Sequence, residues 1–167
     1  MGKNTKGLNP WLFSFYLQQF YETFDFFEKT LKLVPGLYSA WLRLWGAKIG
    51  SHINWAPACK IMDRPFLVVG NRSLIGNLSY ISSHAIKKNS GSYLLYVKKT
   101  IIEEDCVVSY TATLGPGAVM RNRSYIEAGA ALFPNQVLEE DGILTLKDVL
   151  SNISSHGDSD ISMPPKG

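Results

Sequence analysis

Residues 102–137 read IEEDCV, VSYTAT, LGPGAV, MRNRSY, IEAGAA and LFPNQV, six units of six residues. Each unit opens on an aliphatic side chain: Ile102, Val108, Leu114, Met120, Ile126 and Leu132. Four residues after each come Cys106, Ala112, Ala118, Ser124, Ala130 and Gln136, small in every case but the last. About a quarter of the chain is Ile, Leu, Val or Met, so six in one fixed register has chance odds of about one in four thousand, before any choice of register. A period of six suits neither a helix, which repeats at 3.6, nor an isolated strand. It suits a solenoid in which each hexad makes one short strand and a corner, three hexads close a triangular coil, and coils stack at roughly 4.8 Å. The leading aliphatic then points inward and forms a ladder. The small residue fits the tight corner, where bulk would collide with the coils above and below.

Upstream, Ile49, Trp55 and Ile61 lead the three units of one coil. The register slips by two residues and resumes at Val69, Ile75 and Ile81, which lead a second coil. It stops for residues 87–101 and restarts at Ile102 for two further coils. The fold class is mainly β, a parallel β-helix of about four coils, roughly 19 Å tall at strand spacing. The excursion at 87–101 carries Lys87, Lys88, Tyr93, Tyr96, Lys98 and Lys99. A stretch that interrupts a solenoid and lets it resume reads as a functional loop projecting from a corner.

Three regions follow: helices over 1–46, the solenoid over 47–137, and a C-terminal segment over 138–167. Phe13, Leu17, Phe20, Phe24, Phe27 and Leu31 recur at helical spacing, with Gln18, Glu22, Asp25, Glu28, Lys29 and Lys32 as a polar face. Pro35-Gly36 breaks this helix, and a second carries Leu37, Trp41, Leu44 and Trp45 before Gly46. Twelve of the chain's twenty aromatics lie between Trp11 and Trp45, so these helices need a cover. They read as a cap on the solenoid's open end or on a neighbouring subunit. The competing reading is peripheral contact with a membrane surface, which acidic residues on the polar face weaken. Downstream, a short capping helix is expected after Asp141-Gly142, and the Ser-, Asp- and Pro-containing last dozen residues read as a loose tail.

Composition excludes several function classes. A net charge of +3, with no Lys/Arg run, gives nucleic acid no phosphate-tracking groove. The two cysteines, Cys59 and Cys106, fall on small-residue positions of hexads, which predicts buried reduced thiols and a cytoplasmic protein. The apolar stretch after residue 10 is broken by charges, unlike a signal or spanning segment, and Lys6 stands where a myristoylation motif wants Ser or Thr.

Residues 46–137 resemble the hexapeptide-repeat acyltransferases, and within them the small O-acetyltransferases of sugars and surface polysaccharides, of the colanic-acid and galactoside/maltose type. The resemblance rests on the hexads, on the Asp-containing segment Ile61–Gly70, on His84 in the hexad before the excursion, on the resumption Thr100–Val108, and on Tyr125–Leu132. It implies a left-handed coil. It also implies an acetyl-CoA-dependent enzyme that acts as a homotrimer, with active sites in the grooves between subunits, a carbohydrate acceptor and no metal. Four positions depart from the pattern. Glu103, Ser109 and Glu127 replace glycines, and Ala58 stands near the place of an acceptor-holding Asn.

His84 is the candidate catalytic residue. Moving an acetyl group from a thioester to a hydroxyl needs a base for the hydroxyl proton, and imidazole, ordinarily titrating near ~6.5, suits that role. The resemblance places a backbone N–H for the oxyanion near Ser109 or Tyr110. It leads coenzyme A past Ser109 and Ala128, Gly129 and Ala130, where small side chains leave the backbone accessible. Asp63, with Tyr93 and Tyr96 of the excursion, is expected to hold the acceptor. Zinc chemistry on this fold needs three converging histidines, but His52 and His84 belong to different coils and His156 lies in the polar tail. The alternative to the enzyme is an inactive β-helix serving as a scaffold or assembly partner; coenzyme A binding separates the two.

Overall fold

The computed structural model describes residues 12–13, 16–18, 25–89 and 92–157. Readings that fall elsewhere, including the loose tail beyond 157 and the helical positions Phe20, Glu22 and Phe24, lie outside the described residues.

The hexads form three parallel sheets, the faces of a triangular solenoid. The first face stacks β1 (Lys48–Ile49), β4 (Leu67–Val69), β9 (Thr100–Ile102), β12 (Val119–Met120) and β15 (Val137–Leu138). The second stacks β2 (Asn54–Trp55), β5 (Leu74–Ile75), β10 (Val107–Val108), β13 (Tyr125–Ile126) and β16 (Ile143–Leu144). The third stacks β3 (Lys60–Ile61), β6 (Tyr80–Ile81), β11 (Thr113–Leu114) and β14 (Ala131–Leu132). The leading aliphatics make the ladder: Ile75, Ile81, Ile102, Val108, Leu114, Met120 and Ile126 are fully buried, and Ile49, Trp55, Ile61, Val69 and Leu132 nearly so. The small residues Cys59, Ser73, Ser79, Cys106, Ala112, Ala118, Ser124 and Ala130 are buried at the corners.

Corner geometry adds a regularity that composition hides. The fourth hexad residue takes a left-handed conformation at His52, Arg72, Leu78, Asp105, Thr111, Gly117, Arg123, Gly129, Asn135 and Asp141, with φ between 54° and 76°. Five of the ten are Gly, Asn or Asp, the types that adopt it cheaply; His52, Arg72, Leu78, Thr111 and Arg123 adopt it all the same. Stacking of one corner on the next overrides the local preference.

The solenoid runs past Val137, where the sequence reading ended it. Leu138 and Leu144 continue the register of Leu132, β15 and β16 add two faces of a fifth coil, and only then does a helix, α3 (Leu146–Gly157), take the third. Thr145 and Asp148 cap that helix reciprocally, with Thr145 N–H on Asp148 Oδ2 and Asp148 N–H on Thr145 Oγ1. Val149 enters the core.

At the other end, α1 (Asp25–Leu33) and α2 (Leu37–Leu44) pack on the first coil. Tyr38 meets Trp55 edge-on at 5.3 Å, and Trp55 Nε1 donates to Ser39 Oγ. A Trp fits the ladder here because no further coil lies above it. Arg43 donates to the carbonyls of Ile49 and Gly50, and Lys32 to that of Cys59, so the helices also satisfy open strand edges. The polar face expected for the first helix is covered in part: Gln18 and Glu28 are buried, as is the Lys32 side chain, while Lys29 stays exposed. The outer side of the helices instead exposes Phe13, Tyr16, Phe26, Leu33, Val34 and Leu44. No helix among the described residues is long and apolar enough to cross a membrane.

Candidate active site

The excursion is a β-hairpin, not an irregular loop. Strands β7 (His84–Asn89) and β8 (Ser92–Val97) pair antiparallel, from His84 opposite Val97 to Asn89 opposite Ser92. It therefore starts three residues earlier than the sequence reading placed it, because Ala85 and Ile86, which continue a hexad on paper, pair across the hairpin with Tyr96 and Leu95. His84 is its first residue. It stands where the chain leaves the third corner, in the column continued by Gly117 and Asn135 in the next two coils.

Buried hydroxyls stitch the base of the hairpin to the solenoid. Ser82 Oγ donates to the His84 carbonyl at 2.9 Å, and Ser83 Oγ lies 3.1 Å from Thr100 Oγ1. Lys98 N–H donates to the Ser83 carbonyl at 2.9 Å. Gly117 leaves room for the side chains gathered at this base. Its φ is +75°, and a Cβ there would lie 2.6 Å from Lys98 Cδ and 2.7 Å from Asn135 Oδ1.

Asp63 completes the arrangement. Its Oδ2 lies 2.5 Å from His84 Nδ1, and its side chain is 2% exposed against 16% for His84. A carboxylate there accepts from Nδ1–H, which orients the ring and fixes its tautomer. The role of acceptor holder expected for Asp63 thus gives way to one on the histidine, because the carboxylate is buried against the ring. The two-residue slip between the first and second coils explains its place. The extra residues form a 3-10 turn, Arg64–Phe66, with Asp63 as its left-handed N-cap (φ 55°, ψ 53°), so Asp63 leaves the hexad grid and turns toward the next coil.

The remaining candidates divide. Tyr96 OH donates to Asn135 Oδ1 at 2.6 Å, and Lys98 Nζ to the same oxygen at 2.7 Å, which ties the hairpin to the third corner. Tyr93 is 78% exposed on the hairpin's outer part. Ser109, Tyr110, Ala128, Gly129 and Ala130 lie at the second corner, at the far end of the third face. About six residues separate the two corners, a span of up to roughly 20 Å, so one chain does not bring them to its own His84. Ser109 N–H is taken by the Ile126 carbonyl at 3.1 Å, whereas Tyr110 N–H makes no hydrogen bond among the described residues. Ala130 is a core residue whose N–H and C=O are both bonded; Ala128 and Gly129 are exposed. Sequence reasoning gave Arg64 and Asn135 no place in the site, Glu28 only a polar helix face and Lys98 only a share in the excursion's charge, and no spacing rule links them. Among the described residues no three His, Cys, Asp or Glu side chains gather to hold a metal ion.

No model of a known protein family matches the chain, and no curated protein matches it by sequence. Solved structures do. A hexapeptide-repeat-containing acetyltransferase of Vibrio cholerae O1 biovar eltor, solved with acetyl coenzyme A, is 19% identical at a TM-score of 0.55, over 61% of this chain and 56% of that one. A GDP-perosamine N-acetyltransferase of Caulobacter crescentus, solved with CoA and GDP-perosamine, is 17% identical at a TM-score of 0.25, over 60% of this chain and 40% of that one. The likeness to the first is one of fold, a left-handed parallel β-helix. The chain spans little more than half of that protein's length.

Proposed function

We propose that the protein is an acetyl-CoA-dependent O-acetyltransferase acting on a sugar or surface-polysaccharide precursor, with His84 as general base and direct transfer to the acceptor. The observation that carries the reading is the Asp63–His84 pair at the root of a projecting hairpin, with a buried carboxylate behind an imidazole that keeps an edge toward solvent. Asp63 accepts from Nδ1, so Nε2 presents a lone pair. That nitrogen takes the proton of an acceptor hydroxyl as its oxygen attacks the thioester carbonyl. The tetrahedral oxyanion needs an N–H donor, and Tyr110 has one among the described residues that no carbonyl occupies. The C–S bond then breaks, and the leaving thiolate recovers the proton from Nε2–H. The acetyl ester and the free thiol are released, and the histidine is again neutral.

The separation of the two corners favours a second copy: on this reading His84 of one subunit faces the second corner of its neighbour, and Tyr110 of the partner subunit holds the oxyanion. Threefold packing supplies three such grooves, so the active form is a homotrimer. The pantetheine arm fits past Ala128 and Gly129, where a Cβ on Gly129 would meet nothing closer than 3.9 Å. Tyr93 and Tyr96 of the hairpin stand over the acceptor.

His84→Ala tests the reading. Removing a general base costs about 10²–10⁴ in rate, so kcat falls at least about a hundredfold while coenzyme A affinity, measured by calorimetry, stays unchanged. Wild-type turnover in the variant overturns the assignment of the base. Absence of coenzyme A binding to the wild type, or a light-scattering mass equal to one 18.6 kDa chain, overturns the enzyme or its composite site respectively.

A further inference from the structure

We propose that the helices at the start of the chain position the Asp63–His84 pair, through a buried ion pair between Glu28 of α1 and Arg64. The inference rests on His84 being the base of the reaction proposed above, and it adds residues that touch no substrate.

Arg64 directly follows Asp63 and is fully buried. Its guanidinium donates through Nε (3.0 Å) and Nη2 to Glu28 Oε1, and through Nη1 to Gln18 Oε1 at 3.1 Å. Its backbone N–H donates to the same Gln18 oxygen at 2.9 Å. Tyr38 OH donates to the other Glu28 oxygen at 3.2 Å, and Lys32 Nζ stands 3.9 Å from it. The Trp45 ring lies 5.7 Å from the guanidinium. Residue 64 is thus clamped by main chain and side chain together, both to the helices.

Asp63 depends on that clamp. It shares the 63–64 peptide with Arg64, so whatever fixes that peptide fixes the direction in which the Asp63 side chain leaves the main chain. That peptide is held at both of its polar atoms, its C=O by the Phe66 N–H at 2.8 Å and its N–H by Gln18 Oε1 at 2.9 Å. Free to rotate, the 63–64 peptide would carry the carboxylate off Nδ1. Stability alone does not demand an ion pair here, since replacing buried pairs by apolar groups is often neutral or favourable. A directional, many-toothed contact on the residue next to the one that aims a carboxylate is what a positioning device requires.

The test is a double-mutant cycle between Glu28→Gln and Asp63→Asn, read in kcat, in KM for acetyl-CoA, and in the low-field imidazole N–H proton resonance of His84 assigned with His84→Ala. A small misplacement of a catalytic group can cost up to about 10² in rate, and we expect Glu28→Gln to lower kcat about tenfold with KM unchanged. In the Asp63→Asn background Glu28→Gln is expected to lower kcat no further, because the path runs through Asp63. Tyr38→Phe keeps the core ring and removes one donor to Glu28; it should lower kcat about threefold in the same way. The low-field resonance should broaden or shift in both single variants. Equal losses in both backgrounds, or an unmoved resonance in a folded variant, overturn the proposal. If Glu28→Gln does not fold, Tyr38→Phe decides. The resonance is read without turnover, so an inactive wild type refutes the enzyme and leaves the coupling to be judged on its own.

Discussion

At the scale of single residues, burial sets chemistry that composition alone leaves open. Cys59 lies 2% exposed at a corner of the first coil, and burial pushes its thiol up to about 11, against a partial pull downward from Lys32. The folded state therefore keeps this proton longer than the unfolded chain does. The stability it contributes is complete below the ordinary value of 9.0 and is lost as pH rises toward about 11. We expect neither Cys59 nor Cys106 to react with a thiol reagent at pH 8 until denaturant is added, and the melting temperature to fall between pH 9 and 11. Fast labelling of two thiols in the native protein would show this corner to be open. The same residue-level view explains why Asp63 was misread from sequence: an Asp on paper is a ligand for any hydroxyl, and only its neighbour in the next coil fixes which.

At the scale of elements, α1 and α2 are part of the first coil's packing. Tyr38 and Leu42 belong to the same core as Ile49 and Trp55, and Arg43 and Lys32 close edge carbonyls. Deleting residues 1–45 would uncover Trp55 and Ile61 and strand the Arg64 guanidinium without Glu28, a loss of about 3–5 kcal/mol for a broken buried pair. The truncated chain is expected to aggregate, as judged by light scattering after purification. A soluble truncation with an unchanged melting temperature, losing only its affinity for liposomes, would make these helices a membrane anchor instead. The aromatic and aliphatic residues exposed on their outer side make that control necessary.

Across the whole molecule, charge runs down the first corner as a column. Arg72 pairs with Glu104 and Asp105 of the next coil, and Arg123 with Glu140 and Asp141 of the last. These guanidinium partners hold the Asp105 and Asp141 carboxyls below the ordinary 3.8. A lowered value in the folded state means a contribution that is present above about pH 3.8 and lost as pH falls below it. All four groups reach solvent and salt screens them, so the effect is modest. The acid-induced fall in melting temperature should be shallower in an Asp105→Asn, Asp141→Asn double variant than in the wild type, and shallower again in high salt. Identical acid profiles would show the column to be decoration.

The amino-acid sequence by itself determined the ladder. One residue class at a spacing of six gives inward positions regardless of what lies between coils, so Ile49 to Leu132 were legible as core, and Leu138 and Leu144 were there to be read as well. It also marked His84 as the histidine beside an interruption. The partners of that histidine were decided by tertiary structure. Which residues of one coil face those of the next depends on the lengths of the slip and the hairpin, which carry β1 to β4 over 20 residues and β4 to β9 over 33. Those offsets set Asp63 against a histidine 21 residues away and Glu28 against an arginine 36 away. Local spacing cannot encode such pairings, because they exist only once the coils are stacked.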